Sequence, residues 1–271
     1  MKKVWICGAI LLFAVSVGAQ EPSDDGGMRG QGQSSGAVPD AASRDELLTR
    51  ASLDMIHKQY AEAADIFRDL LRQTPNDAAL WNRLGIAYHQ QSLLGDALKC
   101  YERAAKVAKD NGEAWNNMGT VYFQEHKYPK AIRTYKKAIS LNSQNATFYS
   151  NMGIAYLNDK HVPEALDAFK VAVKIDPEVF GKTGSIGTVL QDRSVDNAGV
   201  FFYVLAKSFA SEENAERCAY YLRKARDEGY ADFEKAKSDP AFSGMLTDPD
   251  VREILGLPAL SGAAAGHSQG I

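Results

Sequence analysis

Cysteine is nearly missing: three residues in 271, at positions 7, 100 and 218. With Cys7 inside an apolar leader, no disulfide framework can organise this fold. Histidine is also sparse, and His57, His89, His126, His161 and His267 are scattered. No H-E-x-x-H run and no Cys/His ligand spacing occurs, so the sequence offers neither a metal centre nor a cofactor site. The triplet Gly181-Lys182-Thr183 falls short of a phosphate loop, because Asp176 stands where that motif needs its first glycine. Glu212-Glu213 lies in an expected helix-joining turn and reads as solvated surface. No constellation for catalysis is present, and the reading is not an enzyme. An excess of one charge is missing too: 31 Lys and Arg against 34 Asp and Glu give −3. That balance excludes nucleic acid and a polybasic membrane contact.

What is there begins with a leader. Lys2-Lys3 form a basic start, Val4 to Val17 an apolar core, and Val17-Gly18-Ala19 a small-residue cleavage site before Gln20. The apolar run is shorter than the ~20 residues that span a bilayer. Residues 1–19 therefore read as a cleaved signal peptide, not an anchor, with no stable membrane insertion afterwards. Cys7 lacks the preceding small residues of a lipidated cysteine. The short core after two lysines has a bacterial look, so the destination is the periplasm of a Gram-negative cell or the exterior. Losing Lys2 and Lys3 takes the net charge from −3 to −5. Residues 20–43 are rich in Gly, Ser, Asp and Gln and carry almost no large apolar residue, a composition expected to remain a flexible linker.

The body of the chain repeats. Trp115-Asn116-Asn117-Met118-Gly119-Thr120-Val121-Tyr122 has near-copies at 81–88 and 149–156, a step of 34 residues each way. Within a copy, positions 81, 84, 85 and 88 follow i, i+3, i+4, i+7, one face of a helix. A second stripe follows each: Ala97/Tyr101/Ala104, Ala131/Tyr135/Ala138 and Ala165/Phe169/Ala172. Gly85, Gly119 and Gly153 each cost a helix about 1 kcal/mol relative to Ala. They are expected, with facing alanines, to mark the crossing of two antiparallel helices. Pro129 and Pro163 suit the first turn of the second helix, and Asp77, Asn111 and Asn145 suit the N-cap of the first. A hairpin of this size cannot bury its apolar face alone, so the hairpins must stack. Such a stack holds Cys100 and Cys218 beyond the ~7 Å reach of a disulfide.

These residues resemble the tetratricopeptide repeat (TPR) family in an exported bacterial form, whose signature is W-x2-L-G-x2-Y followed by Ala and an aromatic residue. The resemblance implies an all-α helical-hairpin solenoid, a right-handed superhelix. Four repeats are assigned, 44–77, 78–111, 112–145 and 146–179, then a Gly-rich ordered loop at 180–198 with a short extended stretch near Thr188 to Gln191. A degenerate fifth repeat is expected at 199–232, from Phe202, Leu205, Ala206 and Phe209 and then Cys218, Leu222 and Ala225. Capping helices follow at 233–258 and a flexible tail at 259–271. Arg50 and Asp54 replace apolar signature residues in the first repeat, as an end repeat with a wet face would. No capping residue precedes the segment after Glu178-Val179, and regular stacking is expected to break there.

In this family the first helices line a concave groove that holds a partner peptide. Carried over position by position, the groove residues are Asn82, Arg83, Ile86 and His89, then Asn116, Asn117, Thr120, Phe123 and Gln124. Repeat four adds Ser150, Asn151, Ile154, Leu157 and Asn158. Asn117 and Asn151 are expected to form two rungs that grip a peptide backbone, or to tie neighbouring helices. Arg83 suits a carboxylate. The family's carboxylate clamp needs Lys where Asn82, Asn116 and Ser150 stand, so chaperone tails are not implied. The expected function is an exported scaffold or adaptor that binds an extended segment of a protein partner in a cell-envelope complex. A second reading is a structural subunit docked through its convex face or C-terminal cap in an envelope assembly or secretion machine. A third is an accessory subunit of an enzyme. The leader makes a direct prediction: N-terminal sequencing of the protein from its native cell finds Gln20 first, and a chain retaining Met1 overturns the cleavage reading.

Overall fold

Helix pairs begin at 44, 78, 112 and 146 because a polar cap stands just before each start. The computed structural model describes residues 43–181 and 196–260. The chain separates into two units, 1–41 and 42–271, and every described residue belongs to the second. The signal peptide, all of the linker but Ser43, the stretch Thr188 to Gln191 and the tail from 261 lie outside the described residues. Ser43 forms a capping box with Glu46 at the start of α1 (Arg44–Ile56). Asp77, Asn111 and Asn145 accept backbone N–H bonds at 3.0 Å at the starts of α3 (Ala78–Gln90), α5 (Gly112–Gln124) and α7 (Ala146–Asn158). Each of these first, or A, helices turns sharply into a B helix: α2 (Tyr60–Gln73), α4 (Leu94–Val107), α6 (Tyr128–Leu141) and α8 (Val162–Ile175).

The sharp turn is one device used repeatedly. Lys58, Ser92, His126 and Lys160 take left-handed backbone conformations, with φ between 57° and 63°. In each, the next N–H reaches back to the A helix, as Lys127 does to the Tyr122 carbonyl at 2.9 Å. This satisfies carbonyls that the helix end would orphan. The B helices then start without a side-chain cap.

The glycines have a different partner from the one the sequence suggests. A Cβ on Gly85 would sit 2.5 Å from the Tyr101 ring, and one on Gly119 would sit 2.6 Å from the Tyr135 ring. Gly153 meets Phe169 in the same way. The missing side chain accommodates an aromatic ring of the same hairpin, not a facing alanine. All three rings are fully buried. Repeat one has Ala51 at the glycine place, and the fifth pair has Ala206 where Leu222 replaces the ring.

The break after Val179 also takes a different form. The connection lengthens, but α9 (Ala198–Ser211) packs on α8 as α7 packs on α6. Asn197 caps α9 through the Val200 N–H at 3.0 Å. Phe169, Phe180 and Phe201 meet edge-to-face with centroids 5.2–6.0 Å apart, a favoured aromatic geometry. α10 (Ala215–Asp227) is tied back to the fourth repeat by an Arg217–Glu178 ion pair. Two 3-10 helices, Phe233–Ser238 and Pro240–Met245, and α11 (Pro249–Ile254) close the end, burying Phe242, Met245, Val251, Ile254 and Leu255. Asp239 fastens this cap to α9, accepting from the Tyr203 hydroxyl at 2.7 Å and Lys207 Nζ at 2.9 Å. Burial pulls its carboxyl upward, but the hydrogen bonds from Ala241, Tyr203 and Lys207 together hold it below the usual range. The described residues contain no strand. The architecture is an all-α solenoid of helical hairpins.

The glycine–ring contact predicts opposite effects for two alanines. Gly119→Ala forces a Cβ into a ring that cannot withdraw and lowers stability by about 1–3 kcal/mol, despite its better helix propensity. Gly95 in α4 has nothing within 4 Å of a built Cβ, so Gly95→Ala raises stability by up to about 1 kcal/mol. Urea denaturation followed by circular dichroism measures both, and equal effects at the two positions overturn the account.

Candidate partner-binding face

The A helices lie side by side: α3 touches α5, and α5 touches α7. Stacking at a 34-residue step brings residues of one register together on their shared face. Asn82, Asn116, Asn117, Ser150 and Asn151 are all buried there. Their amides form a relay across three repeats. Asn151 Nδ2 donates to Asn116 Oδ1 at 2.9 Å, Asn116 to Asn117 at 3.3 Å, and Asn117 to Asn82 at 2.9 Å. The two bonds between helices join residues 35 apart, one repeat plus one position, so the two asparagines of α5 serve one neighbour each. Asn117 and Asn151 thus tie helices together through the bonds seen here. Asn117, Thr120, Asn151 and Asn158 each make further interactions.

The other expected residues divide by depth. Ile154 is fully buried, and Phe123 and Leu157 nearly so. Thr120 Oγ lies 3.2 Å from the Asn116 carbonyl and 3.1 Å from the Tyr135 hydroxyl. Ser150 donates to the Thr147 carbonyl of its own helix. Asn158 Oδ1 accepts from the Asp196 N–H at 3.1 Å. His89 is buried, 3.4 Å from the Tyr101 hydroxyl. Arg83 and Gln124 are exposed, and Arg83 has no ion pair among the described residues.

An open part of the face lies at its N-terminal end. A hollow of about 310 Å³ is lined by Ser52, Met55 and Ile56 of α1, Phe67 of α2, Asn82, Arg83 and Ile86 of α3, and Glu113 of α5. Three of these were expected. Ser52, Met55 and Ile56 were legible too, lying one 34-residue step before Ile86, His89 and Gln90, but the weak signature of repeat one hid them. The relay ends at this hollow. Asn82 accepts the last bond, and its own N–H groups have no acceptor among the described residues. They are open donors beside an apolar floor and an unpaired guanidinium.

Chemistry of other kinds has little material here. Cys100 and Cys218 are buried free thiols, each pushed up by burial to about 12, which keeps them protonated and unreactive. Among the described residues no cluster of three His, Cys, Asp or Glu is placed to hold a metal ion. Nor is any described helix long and apolar enough to cross a membrane.

Equal helical hairpins stacked by a 34-residue register define a repeat solenoid of the kind that binds other proteins. Tetratricopeptide repeat profiles match residues 48–114 and 91–138, and a TPR repeat profile matches 119–160. The chain is a tetratricopeptide repeat protein, and its repeats make it a scaffold for protein–protein interaction. None of the curated proteins matches it. Among solved structures it is similar to MamA, at 19% identity and TM-score 0.47 over 69% of this chain and 96% of that one. It is also similar to MamA 41-end from Desulfovibrio magneticus RS-1, at 16% identity and TM-score 0.48 over 69% and 96%. The family assignment rests on the register and the hairpins, not on these likenesses.

His89 makes the face sensitive to acid. Burial penalises its charged form and lowers its pKa, partly opposed by a hydrogen bond with Gln124. A depressed pKa means stability is complete above the unfolded value near 6.5 and declines as the pH falls from there toward the folded value. His89→Gln removes this component. Thermal melts at about pH 7.5 and about pH 5 then show a smaller acid loss in the variant than in the wild type, and equal losses contradict it.

Proposed function

We propose that this chain is an exported scaffold that holds an extended segment of another protein against its A-helix face, within an assembly of the cell envelope. The observation that carries this reading is the open hollow at repeats one to three. Ile56, Ile86, Met55 and Phe67 offer an apolar seat, Asn82 offers amide donors for a peptide carbonyl, and Arg83 offers a charge for a carboxylate. An extended chain presents such groups at regular intervals and can be held largely by its backbone. The amide relay supports the reading from behind. Three A helices bound to one another give a face that is formed before the partner arrives, so little ordering entropy is spent by the scaffold. The buried asparagines of repeats three and four act in this reading as its frame, with Arg83, Ile86, Asn82 and Gln124 as contacts. Export is supported by the leader, and the periplasm or the exterior follows from it.

The test is loss of a defined partner. Affinity purification from the native cell, with cross-linking and mass spectrometry, identifies what the wild-type protein holds. Arg83→Glu combined with Ile56→Asp, both exposed at the hollow, is expected to lose that protein by at least about tenfold, while melting within a few degrees of wild type. A partner held equally by wild type and variant places binding elsewhere. Fractionation of the same cells tests the compartment, and recovery in the cytosol overturns export.

A further inference from the structure

A second and larger hollow, about 690 Å³, opens between α2 and α4, on the edge of α3 away from Asn82 and Ile86. Leu71, Trp81, Leu84 and Tyr88 form its apolar floor. Its volume is that of a site for a bulky group. Arg68, Arg72, Lys99 and Arg103 stand around the rim, with Asp96 the acid among them. Among the described residues, three of these cations pair only with an aspartate three residues earlier on their own helix. Exposed pairs of that type are weak and screened by salt, so a partner's carboxylate can replace them. Arg103 bonds only the Asn76 side-chain oxygen, at 3.2 Å.

One repeat further on, four of these positions are basic, while Arg68 gives way to Glu102. Residue for residue, Asp96 becomes Lys130, Lys99 becomes Arg133, Arg103 becomes Lys137 and Arg72 becomes Lys106. α6 carries Lys130, Arg133, Lys136 and Lys137, all exposed, and no acidic residue. None of the four has an ion pair among the described residues. Lys130 instead lies over the Tyr122 ring, 3.9 Å from its centre. In a chain of net charge −3, α6 is a local concentration of positive charge, one repeat on from the recessed apolar seat.

We propose that the B-helix surface of α2, α4 and α6 docks an acidic segment of a partner protein. One bulky apolar side chain of that segment fills the hollow between α2 and α4, and its carboxylates lie on Arg103, Arg133 and Lys137. Charge complementarity fixes its sign, and the recessed floor fixes its form. A lipid surface is the poorer fit, because the floor is sunken and neither α4 nor α6 exposes a large apolar side chain. This surface is independent of the A-helix face, so the scaffold has two contacts on opposite edges of its helices.

The experiment uses the purified protein and fluorescein-labelled peptides of roughly a dozen residues. One has a central Trp flanked by Asp and Glu, a second replaces the acids with Lys, and a third replaces the Trp with Ala. The acidic Trp peptide is expected to bind saturably by anisotropy, and both twins at least tenfold more weakly. Raising salt to about 1 M, where charges are screened within about 3 Å, is expected to release it. The triple variant Arg103→Glu, Arg133→Glu, Lys137→Glu loses at least about tenfold. The milder pair Arg133→Gln, Lys137→Gln loses less, and Arg223→Glu on α10, an exposed cation outside both faces, loses nothing. Equal binding by the folded triple variant overturns the proposal. So does equal affinity for the Lys peptide, absence of saturation, or binding to phosphatidylserine vesicles without binding to the acidic peptide.

Discussion

The contact between a glycine and an aromatic ring inside each of the three central hairpins sets the dimensions of everything else. Where Gly119 lacks a side chain, the Tyr135 ring lies against the backbone of α5. The two helices can then approach closely while still enclosing a large apolar group. Because the same contact recurs at Gly85 and Gly153, successive hairpins have nearly the same thickness. Equal units stack in register, and register is what places side chains 35 residues apart within hydrogen-bonding distance. The end hairpins depart from the pattern: in the fifth pair Ala206 goes with Leu222 in place of the ring, and in repeat one Ala51 goes with Phe67, a buried ring without its glycine.

The A-helix face depends on that spacing twice. A relay of four buried asparagines needs each donor to meet an acceptor, since an unpaired buried amide is costly. Equal hairpins satisfy it at 2.9, 3.3 and 2.9 Å. The same network pairs the inner amides with one another and ends at Asn82. Polar residues on this face therefore divide by depth: inner ones bond to one another and hold the frame, and outer ones such as Arg83 and Gln124 face solvent. The opposite edges of the helices follow a separate logic. There the signature residues Trp81, Leu84 and Tyr88 form a floor, and the charges are decided by residues that do not affect stacking.

Much of the fold was legible in the chain. The 34-residue step, the i, i+3, i+4, i+7 stripes and the caps at Asp77, Asn111 and Asn145 are local signals, and each needs only nearby backbone to act. The site was legible less completely. Register located the shared face but could not separate Arg83, which is exposed, from Asn117, which is buried and bonded, although the two occupy one position in adjacent repeats. That difference depends on what lies across the next helix. The packing of α9 on α8 across a long connection was likewise hidden, because the cap that marks a new helix, Asn197, lies far from the place where the period requires it.

The sequence by itself determined that helices form, where most begin, and that they pair and stack, since capping, spacing and the small–large complement of glycine and ring are written in neighbouring residues. Only the tertiary structure decided which amides bond to one another, where the shared face stays open and where cations gather beside an apolar hollow. Those outcomes depend on distances between helices that are far apart in the chain, and no local pattern encodes a distance of that kind.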